Sequence, residues 1–273
     1  MANQDQEGGL TALILGLLGK DGSLGAIRTS IGRLLPSNSR ERLFVWLQGL
    51  AMNPPRGRVR FGDLNRLSPI SRSFGFARGL PVDRYYMERF LSSHGSDIRG
   101  RVLEIGDDRY IRKFGGGRVA RTDILHVEPG HPEATIVADL ARAEHLAGGV
   151  YDCIIFVATL DYIYDTQAAV RTLHRILKPG GVLLTTLGGI RQISRNDMNR
   201  WGDYWRFTDL SARRLFEEVF SPEHLKVEVF GNVRSAIAFL HGLAAEDLSP
   251  EELELRDPDY QVLICVRAER ETG

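Results

Sequence analysis

The chain has 273 residues, 43% hydrophobic and 26% charged, with 35 basic and 35 acidic side chains. That composition argues against a largely disordered chain, and the zero formal net charge gives no global pull toward nucleic acid or an anionic membrane. Two cysteines, Cys153 and Cys265, each inside an apolar run, exclude a disulfide scaffold and fit buried thiols in a reducing cytoplasm.

In chain order, Leu10, Leu13, Ile14, Leu17 and Leu18 fall on one helical face, and Ile27, Ile31, Leu34 and Leu35 repeat the pattern. The apolar stretch is too short to span a bilayer and follows Asp5 and Glu7 rather than basic residues, so neither an export signal nor membrane insertion is expected. A helix packed on the domain or on a second subunit fits better than a surface-seeking one, which leaves a homo-oligomer contact open here. The turn-rich Asn53-Pro54-Pro55-Arg56-Gly57 places the boundary between an N-terminal helical extension, residues 1–55, and a second domain, residues 56–273. Between Ala51 and Gly100 nine arginines face four acids, whereas Glu246 to Asp259 is dominated by acids: two solvated faces, or a basic patch for an acidic acceptor.

Pro81 opens a helix running to Leu91, and Val102-Leu103-Glu104-Ile105-Gly106 then reads as a buried strand turning sharply into a loop. Strands over Arg118 to Asp123 and Ala134 to Asp139 follow, each ending in an acid, and Tyr151 to Val157 is a fourth. Asp165 to Leu177 forms an amphipathic helix stopped by Lys178-Pro179-Gly180-Gly181, and Val182 to Leu187 is strand five. Helices over Leu210 to Phe220 and Val233 to Ala245 flank a strand at Leu225 to Phe230, and Tyr260 to Ala268 is the last strand. Strands alternating with helices predict an α/β, Rossmann-like, mostly parallel sheet covered on both faces. Ligands bind beyond the carboxyl ends of such strands, so Glu104, Gly106, Asp123 and Asp139 are expected around one cofactor-binding hollow.

Residues 80–268 resemble a class I S-adenosylmethionine-dependent methyltransferase. Val102-Leu103-Glu104-Ile105-Gly106 is similar to the first motif of that family, and Tyr151-Asp152-Cys153-Ile154-Ile155 with Leu160-Asp161-Tyr162-Ile163 to its fourth-strand motif. Leu173-His174-Arg175-Ile176-Leu177-Lys178-Pro179-Gly180-Gly181-Val182-Leu183 is similar to its helix-turn-strand motif. The resemblance implies seven strands, the last antiparallel, and S-adenosylmethionine as cofactor. It also implies roles: Glu104 orients the methionine end, Gly106 admits the backbone close to the cofactor, and Asp123 accepts both ribose hydroxyls. Asp139 and Leu140 meet adenine, and Phe156 lines the pocket floor. Gly106 is followed by Asp107-Asp108-Arg109-Tyr110 where the family has further glycines, so the loop is expected to be wider or the next helix shorter. Two carboxylates there would repel a dinucleotide pyrophosphate, which disfavours a nicotinamide enzyme.

Acceptor specificity is expected in the loops after strands four and five, where Trp201, Tyr204, Trp205 and Arg206 stand among acids. Flat aromatics with flanking acids suit a sugar or polyol, and the resemblance extends to methyltransferases of glycan and glycoside assembly. A lid packing its tryptophans on the core explains the same cluster. For a base, Asp203 comes first, then His126, Asp161 and His241. The seven histidines show no metal-ligand spacing, so no metal is expected. The expectation is a cytoplasmic methyltransferase acting at oxygen on a small-molecule or glycan-linked acceptor; the alternative is a non-catalytic interaction module of the same fold.

Overall fold

The structure is a computed structural model that describes residue 54 and residues 58–272. The expected N-terminal helices lie outside the described residues. The chain divides after Asn65 into two compact units, and only a short 3-10 turn, Gly62–Leu64, is described in the first.

The second unit is built on seven strands: β1 Gly100–Ile105, β2 Val119–His126, β3 Ile136–Val137, β4 Tyr151–Val157, β5 Leu177–Gly188, β6 Leu225–Phe230 and β7 Leu263–Glu269. They lie in the order β3-β2-β1-β4-β5-β7-β6. Strands β1 to β5 pair in parallel, and β7 runs antiparallel to both β5 and β6. Both faces of the sheet are covered, as the period-two alternation of side chains in a strand requires. In β4, Ile154 and Phe156 enter one apolar cluster while Cys153 and Ile155 enter the other.

Helix α1 (Val82–Ser93) buries Val82, Tyr86, Met87, Phe90 and Leu91 on the Cys153 side, joined there by α5 (Val233–Leu240) and α6 (Pro250–Glu254). Helices α2 (Thr166–Ile176) and α4 (Asp209–Phe216) cover the opposite face. The short α3, Arg195–Arg200, stands in the segment between β5 and α4. Asp165 caps α2 by accepting from the Ala168 amide, and Thr208 and Ser211 form a capping box on α4. Where a full helix would follow β1, the chain makes one π-helical turn, Ile111–Gly115, and a 3-10 turn, Gly116–Arg118. The shortened-helix expectation for this loop matches that geometry. The topology reverses between β1 and β4, which is where a doubly wound sheet opens a crevice for ligand. Among the described residues no helix is long and apolar enough to cross a membrane.

Candidate functional site

A hollow of about 820 Å³ opens at the carboxyl edge of the sheet. Glu104, Gly106, His126, Asp139 and Leu140 line one side of it, contributed by the ends of β1, β2 and β3. Glu104 is only 2% exposed, and its two oxygens accept the Tyr110 amide at 3.1 Å and the Ile111 amide at 2.8 Å. Burial, with a smaller push from Asp107 and Asp108, lifts its carboxyl to about 8 against the pull of those two hydrogen bonds. Gly106 turns at φ +83°, donates to the Leu125 carbonyl at 3.0 Å, and would present a Cβ to open space. Asp139 caps the turn Leu140–Arg142 by accepting from Ala141 N at 3.0 Å, so it is both a cap and a wall of the hollow.

Two expected cofactor contacts lie elsewhere. Strand β2 continues through Ile124, Leu125 and His126, so Asp123 sits mid-strand instead of at the edge. It is 2% exposed, accepts Arg101 Nε at 2.6 Å and Arg121 Nη2 at 3.4 Å, and does not line the hollow. Phe156 is fully buried in the core beneath the sheet edge, and Val157, Ala158 and Thr159 line the floor in its place.

The loops after β4 and β5 form the opposite wall. Tyr162, Tyr164, Trp201 and Tyr204 line it, with Asp165 and Asp197 among them. Tyr164 meets Tyr204 edge-on at 5.3 Å between ring centroids and leaves 70% of its surface exposed. Behind this wall stands a charged knot. The Arg191 guanidinium, 7% exposed, lies 3.2 Å from Asp203 Oδ1, 3.9 Å from Asp161 Oδ2 and 5.1 Å over the Tyr162 ring. Arg206 reaches Asp203 at 2.6 Å, and the Ser194 amide donates to it at 2.9 Å. The Asp161 carboxylate accepts from Gly188 N, and its backbone carbonyl accepts from the amides of Tyr204 and Trp205.

Three of the four candidate bases therefore do not reach the hollow. Asp161 and Asp203 are spent on Arg191, Arg206 and backbone amides, and neither lines the cavity. Burial pushes Asp161 up to about 6, with Arg191 pulling the other way. For Asp203 burial acts upward too, but Arg206, the Ser194 amide and Arg191 together hold it below the ordinary value. His241 lies beyond the end of α5, where its carbonyl accepts from Ser71 N, and it is not part of the hollow. His126 does line it. Of the expected acceptor contacts, Trp205 instead donates its indole N–H to the carbonyls of Ile163 and Tyr164, and Arg206 is tied to Asp203. Sequence reasoning missed Arg84, Asp165 and Asp197 as lining residues. In the sequence Asp165 stood only as the first residue of the helix to Leu177, while Arg84 enters from α1, outside every motif.

A family model described as "Methyltransferase domain" matches residues 83–229. The ubiquinone/menaquinone biosynthesis C-methyltransferase UbiE of Haemophilus ducreyi is 32% identical over 91 residues, 33% of this chain and 29% of the relative, so the chain spans under a third of that curated relative's length. Similar solved structures include the N-methyltransferase NodS of Bradyrhizobium japonicum in complex with S-adenosyl-L-homocysteine, at 15% identity over 76% of this chain and 96% of that one, with a TM-score of 0.45. Another is a methyltransferase of Thermotoga maritima, at 16% identity over 68% and 93% of the two chains, with a TM-score of 0.44. The family match runs over more than half of the chain, from α1 to β6, and the protein belongs to the methyltransferase-domain family, of the class I S-adenosylmethionine-dependent type.

Proposed function

We propose that the protein transfers a methyl group from S-adenosylmethionine to a hydroxyl oxygen of a sugar, glycan-linked or other small acceptor. The observation that carries this reading is the two-sided hollow: buried and capping acids on the β1 to β3 side, exposed aromatic faces on the side of the loops after β4 and β5.

The residues present fit the cofactor. Glu104 is a buried acid lifted to about 8, and no lysine or arginine among the described residues forms an ion pair with it, so once it gives up its proton it is an unshared counter-charge for an ammonium group. The open space over Gly106 admits a chain passing close to the backbone. Leu140 offers an apolar face for adenine, and Asp139 an acceptor for its exocyclic amine. When bound, S-adenosylmethionine supplies a sulfonium methyl, whose transfer forms a C–O bond, breaks a C–S bond and releases S-adenosylhomocysteine and a proton.

The protein's part is to hold donor and acceptor in line, which by itself accounts for much of the acceleration in such displacements. Tyr162, Tyr164 and Tyr204 provide flat faces and hydroxyls against which a polyol can be oriented, and the charged knot behind them keeps those faces in place. The reading includes a reducing, cytoplasmic setting, supported by Cys153 and Cys265 being buried, unpaired and pushed up by burial. Titration calorimetry with S-adenosylhomocysteine tests the cofactor claim: saturable binding is expected, and no heat at millimolar ligand overturns it. Incubation with methyl-labelled S-adenosylmethionine and a panel of glycosides tests the acceptor class, with labelled methyl ethers as the expected product and no transfer to any glycoside as the contrary result.

A further inference from the structure

The sheet edge has a gap in its chemistry that the cofactor reading leaves open. S-adenosylmethionine carries its methionine end, ribose and adenine in that covalent order. The hollow presents the ends of β1, β2 and β3 in the matching spatial order, with Glu104 and Gly106 at one end and Asp139 and Leu140 at the other. A ribose lying between them sits over the end of β2. Its two hydroxyls need a polar partner there, and Asp123, the acid expected to supply one, is turned into an ion pair with Arg101. Glu128, past the strand end, is paired with Arg200 at 2.7 Å and does not line the hollow. From β2 and its exit the lining residues are Leu125, His126 and Val127, and only His126 has a polar side chain.

We propose that His126 is the ribose-recognition residue of this protein, engaging one hydroxyl through Nε2 in place of the acid that would take both. This assignment rests on the cofactor reading above.

The placement of His126 is fixed from three directions. The Gly106 amide donates to the Leu125 carbonyl, which brings the turn after β1 against the last residues of β2. The Ala138 amide donates to the His126 carbonyl at 3.1 Å, which sets the residue beside the strand leading to Asp139. The imidazole is stacked on His131 at 4.8 Å and meets the edge of Trp201 at 6.4 Å. Its Nδ1 is already committed, lying 3.0 Å from the Glu128 amide and 2.9 Å from the Glu128 carbonyl. Whichever of the two it engages, Nε2 remains: a donor to the ribose oxygen if Nδ1 accepts, an acceptor from the hydroxyl if a neutral ring donates through Nδ1. A ring held in this way loses little freedom when it binds.

A carboxylate has two oxygens for two hydroxyls, whereas one ring nitrogen engages one. The test is calorimetry with S-adenosylhomocysteine and its 2′-deoxy and 3′-deoxy analogues on the full chain and on His126→Phe, which keeps an aromatic ring against His131 and Trp201 but removes both ring nitrogens, Nδ1 with its Glu128 contact included. Expected for the unaltered protein is a loss of about tenfold with one deoxy analogue and under about twofold with the other, since one hydrogen bond is removed in one case only. His126→Phe is expected to bind the parent compound about tenfold more weakly and to treat all three alike. Equal tenfold losses from both deoxy analogues in the unaltered protein, or a His126→Phe protein that still discriminates, overturns the assignment. If His126→Phe does not fold, the ¹⁵N resonance of His126 Nε2 decides: it shifts on addition of S-adenosylhomocysteine, and a stationary resonance overturns the assignment. No binding by the unaltered protein defeats the cofactor reading and this assignment together, whereas binding with a pattern unmoved by the substitution defeats this assignment alone.

Discussion

Glu104 and Asp161 are buried carboxyls near the ends of two neighbouring strands, β1 and β4, and their surroundings differ in one respect. Asp161 has a guanidinium 3.9 Å away and a second acid, Asp203, sharing it; Glu104 has two backbone amides and two more acids nearby. Burial raises both, but Asp161 only to about 6 and Glu104 to about 8. The acid that faces the hollow is therefore the one without a counter-charge, and the acid behind the wall is the one that has it. On the proposed cofactor reading, the acid with its cation built in serves the fold, and the acid lacking one is the one a cationic ligand would pair with.

The sharpest way to break this comparison is to remove the cation from the Asp161 side. Arg191→Met leaves Asp161 with no guanidinium at its free oxygen and Asp203 with Arg206 alone, so unfolding free energy at pH 7 should fall by about 3 kcal/mol in a urea titration. The loss should shrink at lower pH. Asp161 is already raised from 3.8 to about 6, so the native state binds the extra proton in that window and stability falls as pH rises through it. Taking away Arg191 lifts the carboxyl further and extends the window upward, which makes the deficit larger at pH 8 than at pH 5. A variant equally stable at both would show that the knot is held by packing and not by charge.

On the Glu104 side the change should be felt by ligand more than by the fold. Glu104→Gln removes the counter-charge for a cofactor ammonium, and a lost charged hydrogen bond of about 1.5 to 3 kcal/mol corresponds to roughly 10- to 100-fold weaker S-adenosylhomocysteine binding at pH 8.5. In the unaltered protein the carboxyl must lose its proton to serve, so affinity should climb with pH, by up to about tenfold per unit, and level off above about 8. In Glu104→Gln that climb should vanish. Folding of the unliganded protein runs the other way: its Glu104 contribution to stability is greatest below the ordinary value of 4.5 and is lost as pH rises toward 8. Calorimetry and urea titration across the same pH range read both slopes, and parallel slopes would contradict the assignment of Glu104 as a ligand-facing acid.

The sequence carried the sheet further than it carried the wall. Tyr151–Val157 and Leu225–Phe230 were legible to the residue because apolar runs there are bounded by turn residues and charges. At β2 the acid looked like a strand end, and the apolar Ile124 and Leu125 beyond it carry the strand on to His126. That three-residue difference moved Asp123 from the hollow into an ion pair. In the loop before α4, Trp201 and Tyr204 face the hollow while Trp205 and Arg206 turn away. Composition cannot separate these four, because the sorting is done by the Asp161 carbonyl, which accepts the amides of Tyr204 and Trp205 from a different loop. Arg191 carried no local signal, since both its carboxylate partners lie in other turns of the chain.

The smallest expected effect tests the comparison on a third acid. Asp123 is as buried as Glu104, at 2% exposure, but it has cations: Arg101 at 2.6 Å and Arg121 at 3.4 Å. By the same logic it belongs with Asp161, and Asp123→Asn should leave S-adenosylhomocysteine affinity within about twofold while costing about 1 kcal/mol of stability, because the amide oxygen still accepts from Arg101 Nε but without charge. The expectation drawn from sequence predicts the reverse, a large loss of affinity as the ribose contact is removed. A tenfold rise in the dissociation constant with stability unchanged would mean that cofactor draws Asp123 away from Arg101. Exposure and counter-charge in the free protein would then no longer tell a ligand-facing acid from a structural one.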